Sequence, residues 1–396
     1  MNDTVCIHNA RVYGRPEDAR LDVVMQQGVI TAIEPTSLAP VQAQTIDAEG
    51  RVLIPGLIDG HTHACFAGSR LDEWEQSLAG ADYLELLAAG GGIMSTVRAT
   101  RAASQDELAD ALLQRLMRML AQGSTTIEVK SGYGLDTEHE LKMLRAIEAA
   151  AMQFPGTVCA TACIGHALDP AVDRNTFIER TLHETLPAVS EAFPGIALDA
   201  YCETGAWSLA ECTRLFDAGQ AAGHPIRVHA DQFHSLGMIE TAVTRGYTSV
   251  DLLEASSQTS LRRLAQSNTV GVMLPAAGFH LDDRYANGRA FLDAGGRLAL
   301  GSNYNPGSAP CYSMPFVIQL AVRKLGLTID EAIAASTVHG AALLGFTDRG
   351  QLQVGQRADM VLLDEPDVRA LAFEFGAAPI ARVICAGQVQ AMATRA

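Results

Sequence analysis

The sequence predicts a (β/α)8 TIM barrel with a small β-sandwich domain formed by the N- and C-terminal segments. Three observations predict it. Eight short, apolar, β-rich runs recur through the middle of the 396 residues, and stretches with helical spacing separate them. Both ends of the chain read differently, as short strands broken by turns. Eight β/α units in succession favour closure into a barrel over an open sheet. No GxGxxG follows the first run, which weakens an open, dinucleotide-binding sheet.

The elements follow in order. Residues 1–52, with TVCIHNARVYG and DVVMQQGVITAIEP, are expected to pair with residues 350–396, with RADMVLLD and PIARVICAGQVQAM, as one small β-domain beside a barrel at 53–349. The barrel runs are 53–63, 125–134, 157–166, 197–203, 225–233, 248–254, 269–276 and 297–305. They are apolar along most of their length, as parallel strands covered on both faces must be. Between the runs, Leu108, Leu112, Leu116 and Leu120 recur at intervals of four, marking one face of a helix over 105–121. Gly123 follows as a stop. Thr137 with Glu140, and Ser208 with Glu211, have the spacing of capping boxes.

Composition bounds the function. Hydrophobic residues make up 48% and charged residues 19%, which fits a compact enzyme. The net charge is -16 and no lysine- or arginine-rich run occurs, which argues against nucleic acid as a partner. An anionic substrate stays open, because one buried arginine can bind a carboxylate locally. The stretch MNDTVCIHNARVYG lacks a basic patch before an apolar core, so no signal peptide is expected. No apolar run reaches the roughly 18–20 residues of a membrane span. The eight cysteines are scattered, several inside apolar strand-like runs, which suits reduced thiols in the cytoplasm.

Catalytic groups of such a barrel sit where its strands end. Here those ends carry His61 and His63, Tyr133, His166, Glu203, then His229, Asp231 and Gln232, then Asp251 and Leu252, and finally Asn303 and Asn305. His61-Thr62-His63 is the sharpest signal. Residues two apart in an extended chain point to one side, so both imidazoles can reach one ion, zinc or iron by ligand type. A bare HxH is common by chance; the preceding PGLIDG places this one at the end of an apolar strand. His229 is a natural third ligand. Cys65, Cys163 and Cys311 lie near the expected pocket mouth, where a thiol can act as nucleophile or soft ligand. The plainer reading of each is a small core residue.

The stretches PGLIDGHTHACFAGSR, YLELLAAGGGI, EVKSGYGLD, HADQFHSLG and NPGSAPCYSMP resemble the imidazolonepropionases, amidohydrolase-type enzymes of histidine breakdown. The resemblance implies one metal held by the HxH pair, a fifth-strand histidine and an eighth-strand aspartate. His61, His63 and His229 match the first three. It places Arg70, Tyr83, Tyr133 and His166 around the substrate, Arg70 being suited to grip a propionate carboxylate. Asn305 of the NPGS turn joins this group. The resemblance also implies a homodimer.

Three positions depart from that pattern. Asn303 stands for the metal-binding aspartate, Gln232 for a glutamate after the fifth-strand histidine, and Leu252 for a sixth-strand histidine. None of the three can carry a proton near neutral pH, although the amide oxygen of Asn303 can still ligate a metal. Gln232, His229 and Asn303 are therefore the candidate catalytic residues of an altered centre. The expectation is hydrolysis of a five-membered nitrogen ring bearing a propionate: imidazolone, hydantoin or thiohydantoin. A thione suits the altered centre, because sulfide leaves without strong acid assistance. Two alternatives stand beside it. One is ordinary imidazolonepropionase activity with the proton role moved to Asp231, Asp251 or His234. The other is a non-catalytic binding homologue.

Overall fold

The computed structural model describes residues 4–36, 44–80 and 91–390. The chain opens with β1 (Thr4–Val12), β2 (Leu21–Gln26), β3 (Val29–Pro35), β4 (Gln44–Asp47) and β5 (Val52–Pro55). The barrel strands follow: β6 (Leu57–Asp59), β7 (Ser124–Lys130), β8 (Thr157–Gly165), β9 (Ala197–Cys202), β10 (Arg227–Ala230), β11 (Ser249–Leu252), β12 (Val270–Met273) and β13 (Leu298–Leu300). The chain returns through β14 (Met360–Leu363), β15 (Ile380–Cys385) and β16 (Gln388–Val389).

Strands β6 to β13 pair in parallel in chain order, with helices between them. The ring is completed between its first and last members. Gly60 N–H donates to Leu300 O (3.2 Å), Asn303 N–H to His61 O (2.9 Å) and His63 N–H to Tyr304 O (3.0 Å). The strands are shorter than the runs read from the sequence, and the surplus at each C-terminal end forms the loops of the site. The run 53–63 is divided. Its first part, in β5, pairs antiparallel with β14, whereas β6 pairs with β7. Gly56 separates them where no side chain fits, since a Cβ there would stand 2.2 Å from Thr125 Oγ1.

The helix Gln105–Ala121 buries Leu108, Leu112, Leu116 and Leu120, as the spacing predicts, and a capping box from Ser104 and Glu107 starts it. Ser208 and Glu211 form the expected capping box of the helix Leu209–Ala221. Thr137 and Glu140 do not. Asp136, one residue earlier, has the extended backbone a cap requires and accepts from His139 N–H at 2.9 Å. Glu140 turns back instead and accepts the amides of Gly132 (2.9 Å), Gly134 (2.7 Å) and Leu135 (2.9 Å). These donors would otherwise be buried without a partner, so the loop claims the carboxylate before the helix end can.

The terminal strands form one mixed sheet, in the order β16-β15-β14-β5-β1-β2-β3, with β4 also on β1. Strand β1 is the corner: Val5–His8 pair with β4, and Arg11 and Val12 pair with β5. Both halves face a single apolar core that includes Ile7, Val23, Ile30, Leu53, Met360 and Ile384. The packing is that of a sandwich whose two layers share a strand. Among the described residues no helix is long and apolar enough to cross a membrane.

Candidate metal centre

His61 and His63 lie just beyond β6, in a stretch that stays extended because Thr62 bridges Tyr304 in parallel. His229 lies within β10. Their ligand atoms fall within 4.8 Å of one another, with Nε2 of His63 3.3 Å from that of His61 and 2.9 Å from that of His229. His61 Nδ1 donates to Asp251 Oδ2 (2.6 Å), and His229 Nδ1 donates to Asp199 Oδ1 (2.9 Å). A carboxylate partner places the ring proton on Nδ1 and leaves the Nε2 lone pair facing the centre. Burial, and then the charge of Lys130, hold His61 well below the usual histidine range. Burial and the neighbouring imidazoles do the same to His63. The Nε2 atoms of His61 and His229 thus turn toward one point, which His63 Nε2 also reaches. The donor set therefore fits a divalent metal.

Behind the imidazoles lies a set of buried charges that sequence reasoning missed. Asp251 also accepts from Arg227 Nη2 (2.7 Å) and Ser249 Oγ (2.5 Å). Lys130 Nζ bridges Glu128 Oε1 (2.6 Å) and Asp199 Oδ2 (2.7 Å). A signal was present: EVK in the second run sets two opposite charges two residues apart within an apolar strand, and IRVH sets Arg227 two residues before His229. Alternation turns each such pair to one side, and in a barrel that side can be the interior.

His166 and Tyr133 join the same mouth, and Arg70 meets Asn305 at the NPGS turn. The His166 ring stacks on His63 with centroids 4.6 Å apart and planes at 14°, and its Nδ1 donates to Gly132 O at 2.9 Å. Burial pulls His166 down to about 4. Buried Tyr133 lies 5.2 Å from His166, ring to ring. Arg70 is turned inward: Nη2 pairs with Glu73 Oε2 (2.6 Å), and Nε has no partner among the described residues. Its Nη1 stands 3.2 Å from the position a Cβ on Gly307 would take. Asn305 is occupied in shaping that turn. Its Oδ1 accepts from Gly307 N–H (2.9 Å) and Ser308 N–H (2.7 Å), and its Nδ2 donates to Asn303 O (2.7 Å). Tyr83 lies outside the described residues.

At the departures from the family pattern, Asn303 is buried, at φ 55°, with its backbone N–H donating to the His61 carbonyl. Gln232 Oε1 accepts from Tyr201 Oη at 2.6 Å. Leu252 sits in an apolar patch with Val272, Leu274 and Ala299. Leu252 and Leu253 have φ of 94° and 77°, rare for bulky side chains and a sign of strain where β11 ends. The substitute proton carriers are engaged elsewhere. Asp251 serves His61 and Arg227, Asp231 Oδ2 accepts from Ser235 and Ser256, and His234 pairs with Glu203. Burial raises the thiols of Cys65 and Cys311 to about 12 and about 11, and that of Cys163 well above its ordinary value, so none is a ready nucleophile. Cys163 does approach Asp199 and His229, with ligand atoms within 4.8 Å.

A (β/α)8 barrel whose strand ends bring three imidazoles together is a scaffold on which metal-dependent hydrolases are built. The chain belongs to the amidohydrolase family, which matches residues 52–390, and within it is an imidazolonepropionase-like hydrolase. It is 43% identical over 371 residues to the imidazolonepropionase of Deinococcus radiodurans, covering 94% of this chain and 92% of that one. It is 44% identical over 352 residues to that of Symbiobacterium thermophilum, covering 87% and 83%. Its fold matches 5-methylcytosine deaminase from Klebsiella pneumoniae at a TM-score of 0.76 and 17% identity, covering 98% and 96%.

Proposed function

We propose that the protein hydrolyses a five-membered nitrogen ring carrying a propionate, with chemistry altered from that of imidazolonepropionases. Removal of sulfur from a thiohydantoin- or thioimidazolone-type ring is the form best suited to the site. The observation that carries this reading is the pairing of a complete three-histidine cluster with amide and apolar groups at the proton-carrying positions. Arg70, inward and with an Nε that has no partner among the described residues, is the group to bind the propionate. Tyr133 and His166 flank the ring, and Gln232, fixed by Tyr201, can orient it but cannot carry a proton. A divalent ion, zinc or iron, held by His61, His63, His229 and the amide oxygen of Asn303, would supply Lewis acidity toward the ring carbon and toward water. In thione hydrolysis a carbon–oxygen bond replaces the carbon–sulfur bond, one water is consumed and hydrogen sulfide leaves. The setting is the cytoplasm, where eight free thiols stay reduced.

A second reading is ordinary imidazolonepropionase activity, which identity of 43% along most of the chain favours. Purified, metal-loaded protein incubated with 4-imidazolone-5-propanoate and with its thio-analogue separates the two, with ring absorbance and sulfide followed together. Sulfide release supports the first reading. Turnover of the oxygen ring alone selects the second. Tight binding of both with no product refutes catalysis altogether.

A further inference from the structure

We propose that Glu128, Lys130 and Arg227 are positioning residues that join the histidine ligands into a single unit, so that metal affinity is a property of the whole charge ring. The inference rests on the metal-centre reading above. The path runs from His61 to His229 atom by atom, and the ion these two histidines share would close it into a ring. His61 Nδ1 meets Asp251 Oδ2 (2.6 Å), which meets Arg227 Nη2 (2.7 Å). Arg227 Nη1 meets Glu128 Oε1 (3.3 Å), which meets Lys130 Nζ (2.6 Å). Lys130 Nζ meets Asp199 Oδ2 (2.7 Å), whose Oδ1 meets His229 Nδ1 (2.9 Å). The side chains of all seven members are at most 5% exposed.

Glu128 is the hub. Its Oε1 touches both cations, while its Oε2 accepts the amide of Thr62 at 3.0 Å. Thr62 is the residue between His61 and His63, and its hydroxyl donates to Glu128 O at 2.7 Å. One carboxylate therefore reaches His61 and His229 through the charge path and steadies both HxH residues through the backbone. The members come from β7, β9, β10, β11 and the segment after β6, so the ring also sets how these strand ends stand to one another.

Charge explains why the path has to be continuous. Three carboxylates and two cations leave one net negative charge behind the imidazoles that would hold the ion. A carboxylate buried alone is costly, so each one that orients an imidazole needs a cation, and each cation here also serves Glu128. Two isolated carboxylate–histidine pairs would need neither Glu128 nor any link between the halves.

The two arrangements differ in a measurable way. Zinc(II) affinity of the metal-stripped protein, measured by competition with a chromophoric chelator, is compared for wild type, E128Q, D199N, D251N and D199N/D251N. Circular dichroism and melting of the stripped forms accompany it. The ring predicts that E128Q, which touches no ligand side chain, weakens zinc binding by about 10–100-fold. It also predicts that the double variant loses less than the product of the single losses, because the first break already opens the circuit. Wild-type zinc affinity in a folded E128Q, or multiplicative losses in the double variant, overturns the proposal. Should E128Q fail to fold, the charge-balanced E128Q/K130M takes its place with the same expectation. Absence of zinc binding by wild type overturns the metal-centre reading itself, and is thereby distinguished from failure of the ring alone.

Discussion

Arg70 pairs with Glu73 through Nη2 while its Nε has no partner among the described residues, which leaves it capacity for a second carboxylate. Hydrogen bonds to a charged group are worth about 1.5–3 kcal/mol. R70M is therefore expected to raise KM for a ring propionate about 10–100-fold, with kcat changed less; steady-state kinetics checks this. Glu254 gives a pH signature. Its Oε2 is buried without a partner among the described residues, and burial pushes its carboxyl up to about 8. The folded protein thus holds this proton more tightly than the unfolded chain does. Its contribution to stability is intact below the ordinary carboxylate range and is lost as the pH rises through about 8. Melting at pH 5 and 8.5 should show a larger fall in wild type than in E254Q. At this scale, His61, His63 and His229 were legible because their residue type, spacing and strand-end position all agree. Glu128, Lys130 and Arg227 were not, since a charge inside an apolar run gives no partner until the barrel brings five segments together.

Among the elements, the loop after β7 depends on one side chain. Glu140 holds the amides of Gly132, Gly134 and Leu135, and with them the backbone that carries Tyr133 and receives His166. E140A would leave these buried donors unpaired at about 1–3 kcal/mol each. The expected loss in urea unfolding is at least about 3 kcal/mol, and a loss below about 1 kcal/mol would contradict the assignment. The helices were legible from their spacing, as Leu108 to Leu120 show. The cap at Thr137 was misread because Asp136 is an equally good cap former and Glu140 fits both a cap and a loop clamp. The break at Gly56 was hidden for a different reason: the Thr125 side chain that excludes a Cβ there is 69 residues away in sequence.

For the molecule as a whole, a bound ion that favours the folded state stabilises it by about 2.7 kcal/mol at a hundredfold excess over Kd. Chelation of the metal-loaded protein should lower the melting midpoint by several degrees, and re-addition of zinc should restore it; scanning calorimetry or fluorimetry checks both. The composite terminal sheet was legible in outline, because both ends share strand-and-turn patterning. Its pairing was not, since β1 joins β5 through only Arg11 and Val12 and no local pattern marks that corner.

That corner has a consequence. β5 lies between β1 and β14, gripped by a strand from each end of the chain, and only Gly56 separates it from β6 and the histidines beyond. Gly56 N–H is itself held by the Asp359 carbonyl, at 2.8 Å. The two tails thus form a buckle fastened around the root of the segment that bears His61 and His63. A substitution that unpairs β5 from β1 or β14 is thus expected to loosen the root of the segment that bears His61 and His63.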